Sequence, residues 1–151
     1  MQAKLETKPK VEIKLDDPRC IPLRGHPNDA GADLVSIKSL IIYPNCIDMV
    51  DTGVSIKIPV GFVGLVYSRS SQGKLRVSLS NSVGVIDSDY RGNIKLILVN
   101  EGDDPYEIKA YTTKIAQLVI TPIMLPEFVL HDGDTWLDTK RGTGGFGSTG
   151  A

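Results

Sequence analysis

Cysteine, histidine and net charge are all scarce in this chain. Two cysteines, Cys20 and Cys46, stand in 151 residues with two histidines, His26 and His131. That is too few for a disulfide framework, and the four do not fall at the spacings of a zinc site. Both thiols are therefore expected as reduced core residues. Seventeen basic against eighteen acidic residues leave a formal charge of -1, which excludes the clustered positive field that holds duplex nucleic acid or an anionic membrane. Long apolar runs are missing as well. None approaches the ~18 consecutive residues of a membrane span, and residues 1–10 lack the apolar stretch of roughly 7 to 15 residues found in a secretory signal. A soluble intracellular protein is expected, cytoplasmic or, in a eukaryotic or viral setting, nuclear, with residues 1–10 as a flexible tail.

Helical periodicity is also lacking. The one segment able to form a short helix is Ser68 to Leu75, which carries Gly73. What is present is alternation: Val11, Ile13 and Leu15; Val54, Ile56 and Ile58; Leu75, Val77 and Leu79; Ile94, Leu96 and Leu98. Period two places each set on one face of a strand. Turn chemistry separates these runs at Pro44-Asn45, Pro59-Val60-Gly61, Asp89-Tyr90-Arg91-Gly92 and Glu101 to Pro105. The pattern predicts an all-β domain, a sandwich or barrel of jelly-roll type with at most one short helix.

Three segments carry candidate chemistry. The glycine-rich run from Arg141 to Gly150 contains a guanidinium, the hydroxyls of Ser148 and Thr149, and a lone aromatic, Phe146. Such a set suits phosphates and a stackable base, although glycine-rich composition by itself also describes a disordered tail. Ser68-Arg69-Ser70-Ser71-Gln72-Gly73-Lys74 follows a strand-like run and can open a helix whose first N–H groups face an anion, or can be an ordinary strand end with a serine cap. It is not a Walker A loop, because the glycine that must stand four intervening residues before the Gly-Lys pair is absent, its place being taken by Ser68. Gly84 to Gly92 reads by composition as a hairpin, in which Asp87 and Asp89 can be turn residues without further function. Asp33, in Asp29-Ala30-Gly31-Ala32-Asp33-Leu34, is equally ambiguous.

In order and spacing these segments resemble the five motifs of the trimeric all-β dUTPase family over nearly the whole chain. Ala30-Gly31-Ala32-Asp33-Leu34 resembles the first, Ser68-Arg69-Ser70-Ser71 the second, Asn81 through Gly92 the third, Lys114-Ile115-Ala116-Gln117-Leu118 the fourth and the Arg141 to Gly150 tail the fifth. The resemblance implies hydrolysis of dUTP to dUMP and pyrophosphate, which limits uracil in DNA and supplies dUMP for dTMP synthesis. Asp87 would be the general base that directs a water at the α-phosphorus, a role a carboxylate ionised at neutral pH can fill. Arg69, Ser70, Ser71, Gln72 and Gly73, with Arg141, Gly147, Ser148 and Thr149, would hold the phosphates. Asn81, Gly84, Val85 and Ile86 would read uracil, Tyr90 would pack under the deoxyribose, and Phe146 would stack on the base. Magnesium would ride on the triphosphate, with Asp33 and Gln117 reaching it through water.

The family also implies a homotrimer whose sites are shared between subunits, the first and third motifs coming from one, the second and fourth from another and the fifth from a third. Residues 11–138 would form the barrel domain and 139–151 a lid. dUTP is the expected partner, with no polymeric nucleic acid and no membrane. Two positions depart from the commonest second motif. Ser68 replaces proline, loosening the turn, and Gln72 replaces an apolar residue, where it could add a phosphate hydrogen bond. The rival readings are a dCTP deaminase of the same fold, separated by ammonia release, and a non-catalytic nucleotide sensor, separated by binding without turnover.

Overall fold

β-branched and aliphatic residues set at every second position cannot bury a helical stripe, but they cover one face of a pleated strand. The computed structural model describes residues 10–133, 136 and 139–145. In chain order it contains β1 (Glu12–Leu15), β2 (Ala32–Val35), β3 (Leu40–Ile42), β4 (Cys46–Lys57), β5 (Phe62–Tyr67), α1 (Ser70–Lys74), β6 (Val77–Leu79), β7 (Gly84–Ile86), β8 (Asn93–Asn100), β9 (Tyr106–Ile108) and β10 (Lys114–Pro122). A single 3₁₀ turn spans Pro18–Cys20. The all-β expectation with one short helix holds.

Two four-stranded sheets, ordered β1-β4-β8-β6 and β2-β10-β5-β7, are built entirely from antiparallel pairs, and β3 and β9 form a separate ribbon. Their inner faces meet in one apolar core. Val54, Ile56, Ile94 and Leu98 come from the first sheet, Leu34, Val66, Ile115 and Leu118 from the second, and Ile42 and Ile108 from the ribbon. β8 shows the alternation cleanly: Ile94, Leu96 and Leu98 are buried while Lys95 and Ile97 face outward. Each fully buried Leu, Ile or Val is worth about 1.5–3 kcal/mol relative to exposure, so this core is the main source of cohesion.

Buried polar side chains stand at a register shift in one strand and at the end of another. In β4 the register with β8 shifts between Asp51 and Ser55. Gly53 supplies the left-handed conformation at φ +66°, and a methyl group there would collide with the Ile37 side chain. Beside it the buried Thr52 hydroxyl donates to the Ile94 carbonyl at 2.8 Å. At the end of β8, Asn100 donates to the carbonyls of Ile42 (2.8 Å) and Asp104 (2.9 Å) and accepts from the Gly102 N–H (2.9 Å).

Two expectations need correcting. Gly84 to Gly92 is not a hairpin: β7 pairs with β5, whereas β8 pairs with β4 and β6, so the turn from Asp87 to Gly92 crosses from one sheet to the other. Turn composition announces a change of direction but not the strand that receives the chain. Nor are both thiols in the core. Cys20 is fully buried, and burial pushes its thiol pKa up, but Cys46 is exposed at the start of β4. No helix among the described residues is long and apolar enough to cross a membrane.

Candidate active site

One end of the second sheet gathers much of the predicted chemistry. Asp33 on β2 lies opposite Gln117 on β10, and Gln117 lies opposite Tyr67 on β5, whose chain continues directly into Ser68 and Arg69. Antiparallel pairing thus brings together three segments that are far apart in sequence. The Arg69 Nε donates to Asp33 Oδ1 at 2.7 Å, and the Lys114 ammonium sits 2.8 Å from Asp33 Oδ2. Asp33 is 14% exposed and Arg69 29%, so solvent screens this pair less than a surface bridge. Two cations around one carboxylate leave the cluster net positive, as an anion site requires. The Arg69 Nη1 makes only a long 3.4 Å contact with the Ser71 hydroxyl, so most of its fork of donors remains available to phosphate.

Gln117 donates through Nε2 to the Ser68 carbonyl at 3.0 Å, tying the fourth segment to the entrance of the second. Ser68 itself accepts the Leu79 N–H at 3.0 Å, linking that entrance to β6. The hydroxyl thus replaces the stiffness of a proline with a hydrogen bond. Gln72 is only 2% exposed. Its Oε1 accepts from the Arg69 N–H and its Nε2 donates to the Ile115 carbonyl, both at 2.9 Å. The expectation that its side chain could bind phosphate is therefore corrected, because both ends of the amide are already committed inside the protein. Ser70, Ser71 and Gly73 remain exposed on α1.

The third segment lies apart from this cluster. Gly84 pairs with Val66 and Ile86 with Gly64, so β7 runs away from Arg69, and Asp87 follows about 10 Å along the strand at ~3.3 Å per residue. Asp87 is exposed, and among the described residues no hydrogen bond or ion pair occupies its carboxylate. Gly84 lets the strand approach β5, since a Cβ there would lie 3.2 Å from that of Val66. Asn81 and Val85 are exposed and Ile86 half-buried. Tyr90 donates its hydroxyl to the Asn93 carbonyl at 2.9 Å, which fixes the ring across Gly92.

The first, second and fourth segments are joined within one protomer through Asp33, Arg69 and Gln117, and it is the third that stands elsewhere. Arg141 is exposed and donates to the Gly144 carbonyl at 2.9 Å, with no bond to Arg69, Asp33 or Asp87. Phe146, Gly147, Ser148 and Thr149 lie outside the described residues. Lys114 and Ser68 take part in the site without having been assigned a role from sequence. Their signal was membership of the motifs alone, Ser68 opening the second and Lys114 the fourth.

Among the described residues no group of three or more His, Cys, Asp or Glu side chains could cage a metal ion. The Asp33 carboxylate and the Gln117 amide oxygen, on paired residues of β2 and β10, are hard oxygen donors of the kind a magnesium ion or its waters accept.

Comparison with known proteins finds relatives over nearly the whole chain. The dUTPase family model matches residues 17–150. The chain is 41% identical over 141 residues to a deoxyuridine 5'-triphosphate nucleotidohydrolase of Corynebacterium jeikeium, with 91% of this chain and 90% of that protein covered. It is 40% identical over 151 residues to the enzyme of the same name from Escherichia phage T5, covering 93% and 99%. Among solved structures, a mutant dUTPase of Staphylococcus bacteriophage 80alpha with dUpNHpp superimposes with a TM-score of 0.81 at 28% identity, covering 95% of this chain and all of that one. A mutant dUTPase from phage phi11 of S. aureus, which coordinates a structural Mg(II) ion, gives a TM-score of 0.75 at 26% identity, covering 85% and 100%. With a family model matched over nearly its whole length and relatives near 40% identity, the chain belongs to the dUTPase family.

Proposed function

We propose that the protein hydrolyses dUTP to dUMP and pyrophosphate, with Asp87 as general base and Arg69 as a principal phosphate anchor. The observation that carries this reading is that one chain holds both a solvent-facing carboxylate with no partner among the described residues, Asp87, and a guanidinium tethered at one end with most of its donors free, Arg69. Asp87 would take a proton from water as that oxygen bonds to the α-phosphorus and the bond to the pyrophosphate oxygen breaks. A positioned carboxylate contributes roughly 10²- to 10⁴-fold in rate. Ser70, Ser71 and Gly73 on α1, together with Arg141, Gly147, Ser148 and Thr149 of the tail, would complete the phosphate grip. Asn81, Gly84, Val85 and Ile86 would meet the uracil edge, with Tyr90 under the sugar and Phe146 over the base.

Magnesium, when bound with the triphosphate, would neutralise charge on the phosphate oxygens. Gln117 and the remaining lone pairs of Asp33 are the groups positioned to reach its waters. Residues 139–151 would act as the lid over residues 11–138, excluding water as they close. The sites would be shared within a homotrimer, with Asp33, Arg69 and Gln117 from one protomer and the Asp87 segment from its neighbour. Support for assembly comes from the chain beyond β10, where Met124, Leu125, Phe128, Val129 and Leu130 are each between 74% and 98% exposed. Monomers rarely leave so continuous an apolar stretch uncovered.

Pyrophosphate release with magnesium from dUTP, dCTP, dTTP and UTP, run beside Asp87→Asn, tests the reading. The expected outcome is release confined to dUTP and reduced at least about 100-fold by the substitution. Ammonia from dCTP, or dUTP bound without turnover, would refute it.

A further inference from the structure

Gln72 places a carboxamide where the core would accept an aliphatic side chain at lower cost, since burying an amide is unfavourable unless each of its polar atoms is satisfied. Both are satisfied, one by the Arg69 N–H and the other by the Ile115 carbonyl. α1 has only five residues, and its N-cap position is Arg69, whose side chain has no acceptor atom. The Arg69 N–H finds its acceptor instead in Gln72 Oε1, three residues along, as in one half of a capping box. The other end of the amide reaches across the fold to the Ile115 carbonyl. Ile115 is the residue at which the β10–β2 ladder slips: Lys114 pairs with Val35 and Ala116 with Leu34, leaving Ile115 unpaired between them. Its carbonyl is thus available to α1.

Arg69 is consequently fastened twice to the same short stretch of β10. Its main chain is held through Gln72 to Ile115, and its guanidinium through Asp33 to Lys114, the residue just before. Fixing both ends of a long, flexible side chain removes rotamer freedom that phosphate binding would otherwise have to remove. We propose that Gln72 is a positioning residue for phosphate recognition, a buried neutral relay from the β10 irregularity to the Arg69 main chain that sets where the guanidinium is presented. This rests on the reading that Arg69 grips the triphosphate.

Steady-state pyrophosphate release from dUTP by Gln72→Leu and Gln72→Glu, compared with the unsubstituted protein across pH and alongside thermal unfolding, tests it. Leucine leaves the Arg69 N–H and the Ile115 carbonyl without their partner. KM for dUTP should rise on the order of 10-fold, the equivalent of one lost buried hydrogen bond, while kcat stays within about 3-fold and the inhibition constant of deoxyuridine, which has no phosphate, does not move. Glutamate separates positioning from packing. When protonated it accepts and donates as the amide does; when ionised it cannot donate to Ile115. KM of Gln72→Glu should therefore approach that of the unsubstituted protein at low pH and climb as the buried carboxyl ionises, a step absent from the parent profile. A folded Gln72→Leu with unchanged KM, or dUTP and deoxyuridine weakened in parallel, would overturn the proposal. If the leucine variant does not fold, a Gln72→Glu profile without the pH step overturns it. An unsubstituted protein that releases no pyrophosphate would remove the dUTP reading and this proposal together, whereas one that turns over while the variants match it would remove the relay alone.

Discussion

Gly31 shows how closely the residues of this site are fitted. A methyl group on it would run into the Gln117 amide and lie 3.1 Å from the Gln117 Cβ, so Gln117 would have to swing off the Ser68 carbonyl it now holds. Gly31→Ala is expected to raise KM for dUTP several-fold, roughly the effect of a hydrogen bond worth ~1 kcal/mol, with a smaller change in unfolding temperature because the hardest collision falls on the amide end of Gln117, which can turn away, and the Cβ needs to give only a few tenths of an ångström. Steady-state kinetics beside a thermal melt check this. Single residues were legible in the sequence as types and departures, but their partners were not. Ser68 and Gln72 stood out as unusual, yet that one accepts the Leu79 N–H and the other spans to Ile115 depends on contacts made only after the strands pair. The Arg69–Asp33 bond crosses 36 residues of chain, a separation at which local pattern carries no information.

Among the elements, alternation located those strands that bury one face against the core, β8 most clearly, because burial there repeats with the pleat. It was weaker for three-residue elements such as β3, β7 and β9, where too few positions exist to establish a period. It also could not say which sheet a strand joins. The Asp87 to Gly92 turn looked like a hairpin because hairpins and sheet crossings use the same turn residues. The β3–β9 ribbon depends on Asn100, whose buried amide joins it to β8 and the turn that follows. Asn100→Leu would leave the Ile42 and Asp104 carbonyls and the Gly102 N–H without this partner. At about 1–3 kcal/mol for each buried group left unmatched, a loss of at least ~3 kcal/mol is expected, and urea unfolding monitored by circular dichroism would measure it.

For the molecule as a whole, the separation of Arg69 from Asp87 within one protomer makes a shared site testable by complementation. Arg69→Ala and Asp87→Asn proteins, each inactive, are denatured together in equal amounts and refolded. If each site takes Arg69 from one subunit and Asp87 from the next in a cyclic trimer, one interface in every mixed trimer recovers both residues, and activity should return to about a quarter of the unsubstituted level. Verified mixed trimers with no activity would place both residues in the same protomer's site. The exposed apolar chain beyond β10 carries a consequence for how such an enzyme responds to its own abundance. If that chain is covered only in the assembled trimer, dilution uncovers it and dismantles the sites in the same event. Activity would then fall as a steep power of protein concentration rather than in proportion to it. A cell making little of this protein would possess almost none of its catalysis, and a modest rise in synthesis would switch it on.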